Sequence, residues 1–314
     1  MNRRIRTIDC HYIQAGFAAS FLVQEEGEAY FVETNTIHAV PFLLKALREE
    51  GIEREGVRWI AVTHVHLDHA GGAFALLEAC PEAMVLAHPR AAKHLIDPCK
   101  LVASAKKVYG EKAFERLYGD IQPVPADRVR ILEDGEELLF HGSKLRCIYT
   151  RGHANHHFCL LDPILAGIFT GDSFGLAYPF LQRNGLFIFP STSPTDFDPI
   201  AAKESLKLIL FAGANRAFLT HFGELRDLKA AGEQLLEHLN FSEGLYWQAK
   251  SGKEEFEVLR SRFEAELKNN FAILASKAGL ILTSEDWRLM ETDLRLNAEG
   301  IAFAGIKARP EQNV

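Results

Sequence analysis

One ten-residue stretch restricts this chain more than any other: Thr63-His64-Val65-His66-Leu67-Asp68-His69-Ala70-Gly71-Gly72. It follows a short apolar run, Val57 to Val62, that reads as a strand, and it sets four potential metal ligands within six residues. Imidazole and carboxylate suit zinc, and also iron or manganese. On an extended segment His64 and His66 point the same way, because side chains alternate. A helix is expected from His69 to Cys80, and the turn into it lets Asp68 and His69 face a second, adjacent metal. Gly71 and Gly72 let the backbone turn closely around the site. A single H-x-H is commonly structural. A solvated face does not need this density of histidine, however, and a core loses heavily by burying unpaired polar groups. The stretch therefore reads as a metal site at a strand end.

The flanking sequence alternates strand and helix signals. Ile5 to Ile13, Ser20 to Val23 and Ala29 to Val32 read as strands, with Glu25-Glu26-Gly27 as a hairpin turn. Ile37 to Glu50 carries apolar residues at helical spacing, and Gly51 stops it. Met84 to Ala87 reads as a strand, and Pro89 to Tyr118 as two or three short helices. Short strands are expected at Val129 to Ile131, Glu137 to Phe140, Lys144 to Tyr149, Phe158 to Leu161 and Ala166 to Phe169. Asp198-Pro199 is an N-cap with proline at the first helical position; its helix runs to about Phe211, and Ala217-Phe218-Leu219 is one more strand. Beyond Gly223 no strand signal of weight remains. Phe256, Leu259, Phe263, Leu267, Phe271 and Leu274 recur at the spacing of an amphipathic helix. Thr283 or Ser284 caps another helix, from Glu285 to about Asn297. Residues 1–224 are expected to form an α/β catalytic domain and 225–314 a helical extension.

Composition works by exclusion. A net charge of −7 gives no electrostatic reason to expect tight nucleic-acid binding. No apolar run approaches the ~20 residues that span a bilayer. The basic start, Met1 to Arg6, leads into Thr7-Ile8-Asp9 rather than an apolar signal core. A cytoplasmic protein acting on a small molecule is expected, with neither nucleic acid nor membrane as partner. Cys10, Cys80, Cys99, Cys147 and Cys159 are odd in number and contain no C-x-x-C. That argues against a disulfide framework and a thiolate zinc site, and most of them read as small buried hydrophobes.

The stretch is similar to the signature T-H-x-H-x-D-H-x-G-G of the metallo-β-lactamase fold superfamily, as found in glyoxalase II-like hydrolases. There the remaining ligands are a histidine in a G-H motif, an aspartate in a G-D motif and a later histidine. Gly152-His153, Thr170-Gly171-Asp172 and Thr220-His221 follow in that order, each at the end of an expected strand. The resemblance covers roughly residues 5–224. His94-Leu95-Ile96-Asp97-Pro98 and Ser193-Pro194-Thr195-Asp196-Phe197-Asp198-Pro199 resemble a less characterised archaeal and bacterial subgroup. The resemblance implies a four-layer αββα sandwich with a C-terminal helical extension. It implies that His64, His66 and His153 hold one metal and Asp68, His69 and His221 a second, with Asp172 bridging. Zinc is the expected element for the two divalent ions, with iron or manganese as alternatives. The implied reaction is hydrolysis of a small ester, thioester or lactone by a metal-bridging hydroxide, with Asp68 helping to protonate the leaving group. The alternative is a di-iron oxygen-binding or sensor protein without hydrolytic turnover, because ligands do not dictate chemistry. Flavodi-iron proteins typically carry glutamate where this chain has His66, and 225–314 is too short and too helical for their flavin domain.

Several residues keep two readings. His157 is structural or orients a ligand imidazole; His88 faces the metals or is exposed. Lactonases of the superfamily use a tyrosine soon after the bridging aspartate, whereas Ser173-Phe174-Gly175 follows Asp172 here, which weakens that assignment. Lys250, Lys253, Arg260 and Arg262 read mainly as the solvated face of a helix. The aromatic insertion Tyr178 to Leu181 and Leu186 to Pro190 is an apolar wall beside the metals, or a core-packing loop or dimer contact. Together with the helical tail it leaves a homodimer open.

Overall fold

A computed structural model describes residues 2–310. Met1 and the last four residues of the expected 225–314 extension lie outside them. Two compact units are each drawn from separated stretches. The first is Met1–Tyr149, His156–Gly171 and Ala212–Arg226; the second is Thr150–Asn155, Asp172–Phe211 and Asp227–Val314.

The first unit holds two six-stranded sheets. β1 (Arg4–Asp9), β2 (Ala19–Glu25), β3 (Glu28–Val32), β4 (Val57–Ala61), β5 (Met84–Ala87) and β6 (Val129–Ile131) lie in that order. The first three are antiparallel, and β3 to β6 are parallel. β7 (Glu137–Phe140), β8 (Ser143–Tyr149), β9 (Phe158–Asp162), β10 (Gly167–Gly171), β11 (Arg216–Leu219) and β12 (Gly223–Leu225) form the second sheet. Its β10–β11 pair is parallel. The helices are α1 (Val40–Glu49), α2 (Leu67–Ala70), α3 (Ala73–Ala79), α4 (Pro89–Ile96), α5 (Cys99–Tyr109) and α6 (Glu111–Tyr118).

Strand β2 shows why its apolar run lacks polar alternation. Phe21 and Val23 enter a core with Phe140, Phe158, Phe169 and Phe218 of the second sheet, while Leu22 joins a core with α1, α3 and α4. A strand covered on both faces reads as continuously hydrophobic. The Phe21, Phe169 and Phe218 rings lie 5.4, 5.6 and 4.8 Å apart pairwise, each buried ring contributing about 1.5–3 kcal/mol. The unit also buries an ion cluster. Arg3 donates to both Asp162 oxygens at 2.9 and 3.0 Å, to Glu25 at 2.9 Å and to the Phe140 carbonyl at 2.7 Å. The Tyr30 hydroxyl donates to Asp162 at 2.6 Å.

Three expectations change here. β1 stops at Asp9 and does not reach Ile13. The Asp9 carboxylate accepts the His11 and Gly16 amides at 2.9 and 2.8 Å, and His11 and Ile13 adopt φ of 52° and 62°. The single helix expected from His69 to Cys80 is two, because the Gly72 amide bonds to Asn35 O at 2.8 Å and takes the chain out of helical register. Beyond Gly223 one further short strand does form, β12 pairing with β11.

The second unit is helical: α7 (Pro199–Leu210), α8 (Leu228–Ser251), α9 (Phe256–Lys277), α10 (Ser284–Leu289) and α11 (Glu291–Lys307). Asp198 caps α7 by accepting the Ile200 and Ala201 amides. Thr283 caps α10 in a reciprocal box with Asp286, and the helix expected to end near Asn297 breaks at Met290 and resumes to Lys307. Leu259, Phe263, Leu267 and Phe271 form the buried stripe of α9. The aromatic insertion packs into this unit's core: Phe187, Ile188 and Phe189 are buried, and Phe189 meets the Phe271 ring at 5.0 Å. Arg260 pairs with Glu257 and Glu264, and Arg262 with Glu254 and Glu266, as helix-surface ion pairs do. No helix among the described residues is long and apolar enough to cross a membrane.

Candidate metal centre

β4 ends at Ala61, so His64 and His66 occupy the following loop, and α2 carries Asp68 and His69. His221 comes two residues after the end of β11. His64, His69 and His221 are buried, a placement that demands polar partners.

Their partners set their tautomers. His221 Nδ1 lies 2.6 Å from the Phe17 carbonyl oxygen. A carbonyl can only accept, so Nδ1 carries a proton, and in the neutral ring Nε2 presents a lone pair. That Nε2 lies 3.4 Å from Asp68 Oδ2. His69 repeats the arrangement: Nδ1 donates to Glu33 Oε1 at 3.2 Å, and Nε2 lies 3.8 Å from Asp68 Oδ2. His64 Nδ1 lies 3.0 Å from Thr63 Oγ1, and that hydroxyl in turn donates to Glu33. The ligand atoms of Asp68, His69 and His221 all fall within 4.8 Å of one another, as do those of Glu33, His64 and His69. The His66 ring lies 4.5 Å from that of His64. Nitrogen and carboxylate donors converging in this way fit a zinc, iron or manganese ion.

The second unit brings His153 and Asp172 together. His153 Nδ1 donates to Ser191 O at 3.2 Å, and Nε2 lies 3.5 Å from Asp172 Oδ2. Both residues line a cavity of about 20 Å³ with Arg151, Ser173, Pro190, Leu206, Leu235 and Leu239, room for about one water.

The sequence reading passed over Glu33-Thr34-Asn35-Thr36, between β3 and α1, all buried. Glu33 holds the His69 ring and accepts from Thr63 and Thr220. The Thr34 amide and hydroxyl both donate to His69 O, at 2.8 and 2.9 Å. Asn35 Nδ2 donates to Asp68 O at 2.7 Å. This loop therefore clamps the backbone that carries two candidate ligands. Its signal was present: four polar residues directly behind an apolar strand, where solvent exposure is the ordinary expectation. The close approach also explains Gly72, where a Cβ would sit 2.8 Å from Thr36 O and 2.9 Å from Thr34 O.

His157 is buried with its ring 5.0 Å from that of His64. At Gly171, φ is +47° and a Cβ would lie 2.4 Å from Thr63 Oγ1 and 2.5 Å from His157 Nε2, so the residue before Asp172 must be glycine. His88 is buried rather than exposed, and it serves as a helix cap: its Nδ1 accepts the Arg90 amide at 3.0 Å. Burial and the Arg90 charge push its imidazole down to about 4. Burial pushes the Cys10 thiol up to about 12 and Cys80 up to about 11, so neither is a thiolate at neutral pH.

Comparison with known proteins decides the family. The profile of the metallo-beta-lactamase superfamily matches residues 13–221. The chain belongs to that superfamily. It is similar to the metallo-beta-lactamase fold-containing protein ST1585 of Sulfurisphaera tokodaii, 34% identical over 215 residues, which span 67% of this chain and 77% of the relative. The crystal structure of ST1585 aligns with a TM-score of 0.65 and 22% identity, covering 96% of this chain and 99% of that one. The metallo-beta-lactamase family protein TTHA1429 from Thermus thermophilus aligns with a TM-score of 0.63 and 22% identity, covering 92% and 94%. The chemotaxis sensor ODP, seen with a peroxy di-iron species, shares the fold at a TM-score of 0.53 and 14% identity over 76% of this chain and 89% of that one. The metallo-beta-lactamase fold is here an α/β fold with two mixed sheets and a C-terminal helical region.

Proposed function

We propose that this chain is a dinuclear metal-dependent hydrolase of a small ester, thioester or lactone. In this reading His64, His66 and His153 hold one divalent ion, Asp68, His69 and His221 the other, and Asp172 is shared. One observation carries it: buried imidazoles fixed at Nδ1, with Nε2 of His69, His221 and His153 facing an aspartate oxygen at 3.8, 3.4 and 3.5 Å. A structural histidine is satisfied by its hydrogen bonds. A metal ligand needs its ring fixed through one nitrogen and the other nitrogen unprotonated. His153 and Asp172 join the set through the order of their motifs in the family pattern.

Bound divalent ions would supply Lewis acidity toward a carbonyl and lower the pKa of water. The chain's own residues do the rest. Glu33, Thr63 and the Phe17 carbonyl hold the imidazoles in one tautomer and orientation. Asp68, with 23% of its side chain exposed, can carry a proton to the leaving group. Leu206, Leu235, Leu239 and Pro190 give the small cavity beside His153 and Asp172 an apolar wall.

The test loads purified protein with zinc, iron or manganese, measures metal per chain and screens ester, thioester and lactone panels. Two ions per chain with turnover support the reading; no turnover with any metal overturns it. The shared fold of ODP motivates a second reading, di-iron oxygen binding without hydrolysis. A hydrolytically silent iron form that binds oxygen reversibly would favour it.

A further inference from the structure

Within the second unit, the backbone and the ring of His153 are held by different elements. The backbone is fixed against α7 and its cap: the Gly152 carbonyl accepts the Asp198 amide at 2.9 Å, and the Arg151 carbonyl accepts the Ser205 hydroxyl at 2.5 Å. A Cβ on Gly152 would lie 2.2 Å from Ala202 N. The ring is oriented through Nδ1, which donates to the Ser191 carbonyl at 3.2 Å. Ser191 lies outside every helix and strand, and it lines the small cavity beside His153 and Asp172 together with Pro190. A carbonyl orients an imidazole only as well as its own segment is fixed.

The residues on both sides of Ser191 are tied to one side chain of α11. The Thr192 amide donates to Asn297 Oδ1 at 2.7 Å, and Asn297 Nδ2 donates to the Pro190 carbonyl at 3.1 Å. The Thr192 hydroxyl donates to the Asn297 carbonyl at 3.1 Å. The α11 backbone also packs directly on this segment, since a Cβ on Gly300 would lie 1.8 Å from Thr192 O and 2.6 Å from Ser193 C. Asn297 is buried in the interior of α11, where asparagine is a poorer helix former than alanine or leucine. Packing alone would be served by an apolar residue. The amide instead matches one donor and one acceptor two residues apart in the chain.

We infer that Asn297 is a positioning residue for the metal centre: by locking Pro190 and Thr192 it fixes the Ser191 carbonyl that orients the His153 ring. With Nδ1 held there, Nε2 lies 3.5 Å from Asp172 Oδ2. Asn297 touches neither metal nor substrate and moves no proton; it acts through Ser191 on His153. Without it the Ser191 carbonyl is free to shift, and the imidazole is ordered when metal binds instead of beforehand, which weakens binding. The C-terminal helical region thereby takes part in the centre through α11. This inference rests on the reading of His153 as a metal ligand.

The experiment makes two measurements on the full-length chain. In metal-free protein, NMR of the histidine rings follows solvent exchange of the His153 Nδ1 proton, assigned by its absence in His153→Gln. Asn297→Ala is expected to speed that exchange about tenfold, as a local opening becomes easier. In zinc-loaded protein, competition with a chelator reads the affinity of each ion. Asn297→Ala is expected to weaken one ion about tenfold, the lower end of the range for partners behind a ligand, and to leave the other as in wild type. Leu259→Ala, in the buried stripe of α9, is the control for general loosening: its cavity lowers the thermal midpoint, while exchange and both affinities are expected to stay within about twofold of wild type. Asn297→Ala within about twofold of wild type in either measurement, or losses in Leu259→Ala equal to its own, overturns the inference and leaves the metal site standing. A wild-type chain that takes up no zinc, iron or manganese overturns the metal reading and this inference together. Should Asn297→Ala lose its fold, Asn297→Asp decides, because it keeps an oxygen for the Thr192 amide and removes the donor to Pro190. Faster exchange with one weakened ion supports the inference, and wild-type values in both overturn it.

Discussion

His69 and His221 of the first unit and His238 of the second are buried in opposite ways, with His153 of the second unit following the first pattern. In the first, His221 and His69 each donate Nδ1 to an acceptor and aim Nε2 at Asp68. In the second, His238 on α8 is buried between Phe187 and Phe271, ring centroids 5.9 and 4.8 Å away, and neither ring nitrogen meets a hydrogen-bond partner among the described residues. Residue type and burial are the same in both units, and the partners differ. A buried imidazole that is oriented by one group and faces a carboxylate is built for a ligand, whereas one enclosed by aromatic rings fills space at a cost in stability. Histidine content alone separates neither case.

The comparison can be broken most severely at the ligands. Asp172→Ala is expected to remove at least one metal per chain and lower activity by roughly a thousandfold or more; elemental analysis still finding two ions would refute the shared role. Next comes the first unit's other polar device, the Arg3 cluster. Arg3→Met leaves Asp162 and Glu25 without their buried cation, and urea unfolding should show a loss of about 3–5 kcal/mol. A loss below about 1 kcal/mol would mean that the carboxylates find water instead.

Glu33→Gln sharpens the point about partners. It keeps the shape but removes the charge that orients His69, and metal affinity should fall about 10- to 100-fold, read by competition with a chelator. Unchanged affinity would make Glu33 purely structural.

The smallest effect belongs to His238. Burial pushes its imidazole down to about 3 from an ordinary value of 6.5. Between those values the unfolded chain binds a proton that the folded chain does not. Stability therefore rises with pH across this window and is lost as pH falls from about 6.5 towards 3. His238→Leu should flatten that acid limb and gain about 1–2 kcal/mol at neutral pH. An unaltered pH profile of unfolding would show that the ring has found a partner.

Much of this was legible in the chain itself. His64, His66, His153, Asp172 and His221 lie just beyond strands that the apolar runs had marked, and Asp68 and His69 fall on the turn that follows the first of them. The Asp198-Pro199 cap and the Thr283 cap sit where their chemistry predicts. What the sequence does not show is contact at a distance: Glu33 on His69 and Asn35 on the Asp68 carbonyl.

The primary sequence determined which donors exist and in what order, because ligand chemistry and strand propensity are written in side chains close together in the chain. Only the tertiary structure decided which imidazole nitrogen is held and which is presented. Every residue has a carbonyl, and nothing in the letters around Phe17 says that its carbonyl will meet His221. Such pairings come from packing residues far apart in the chain.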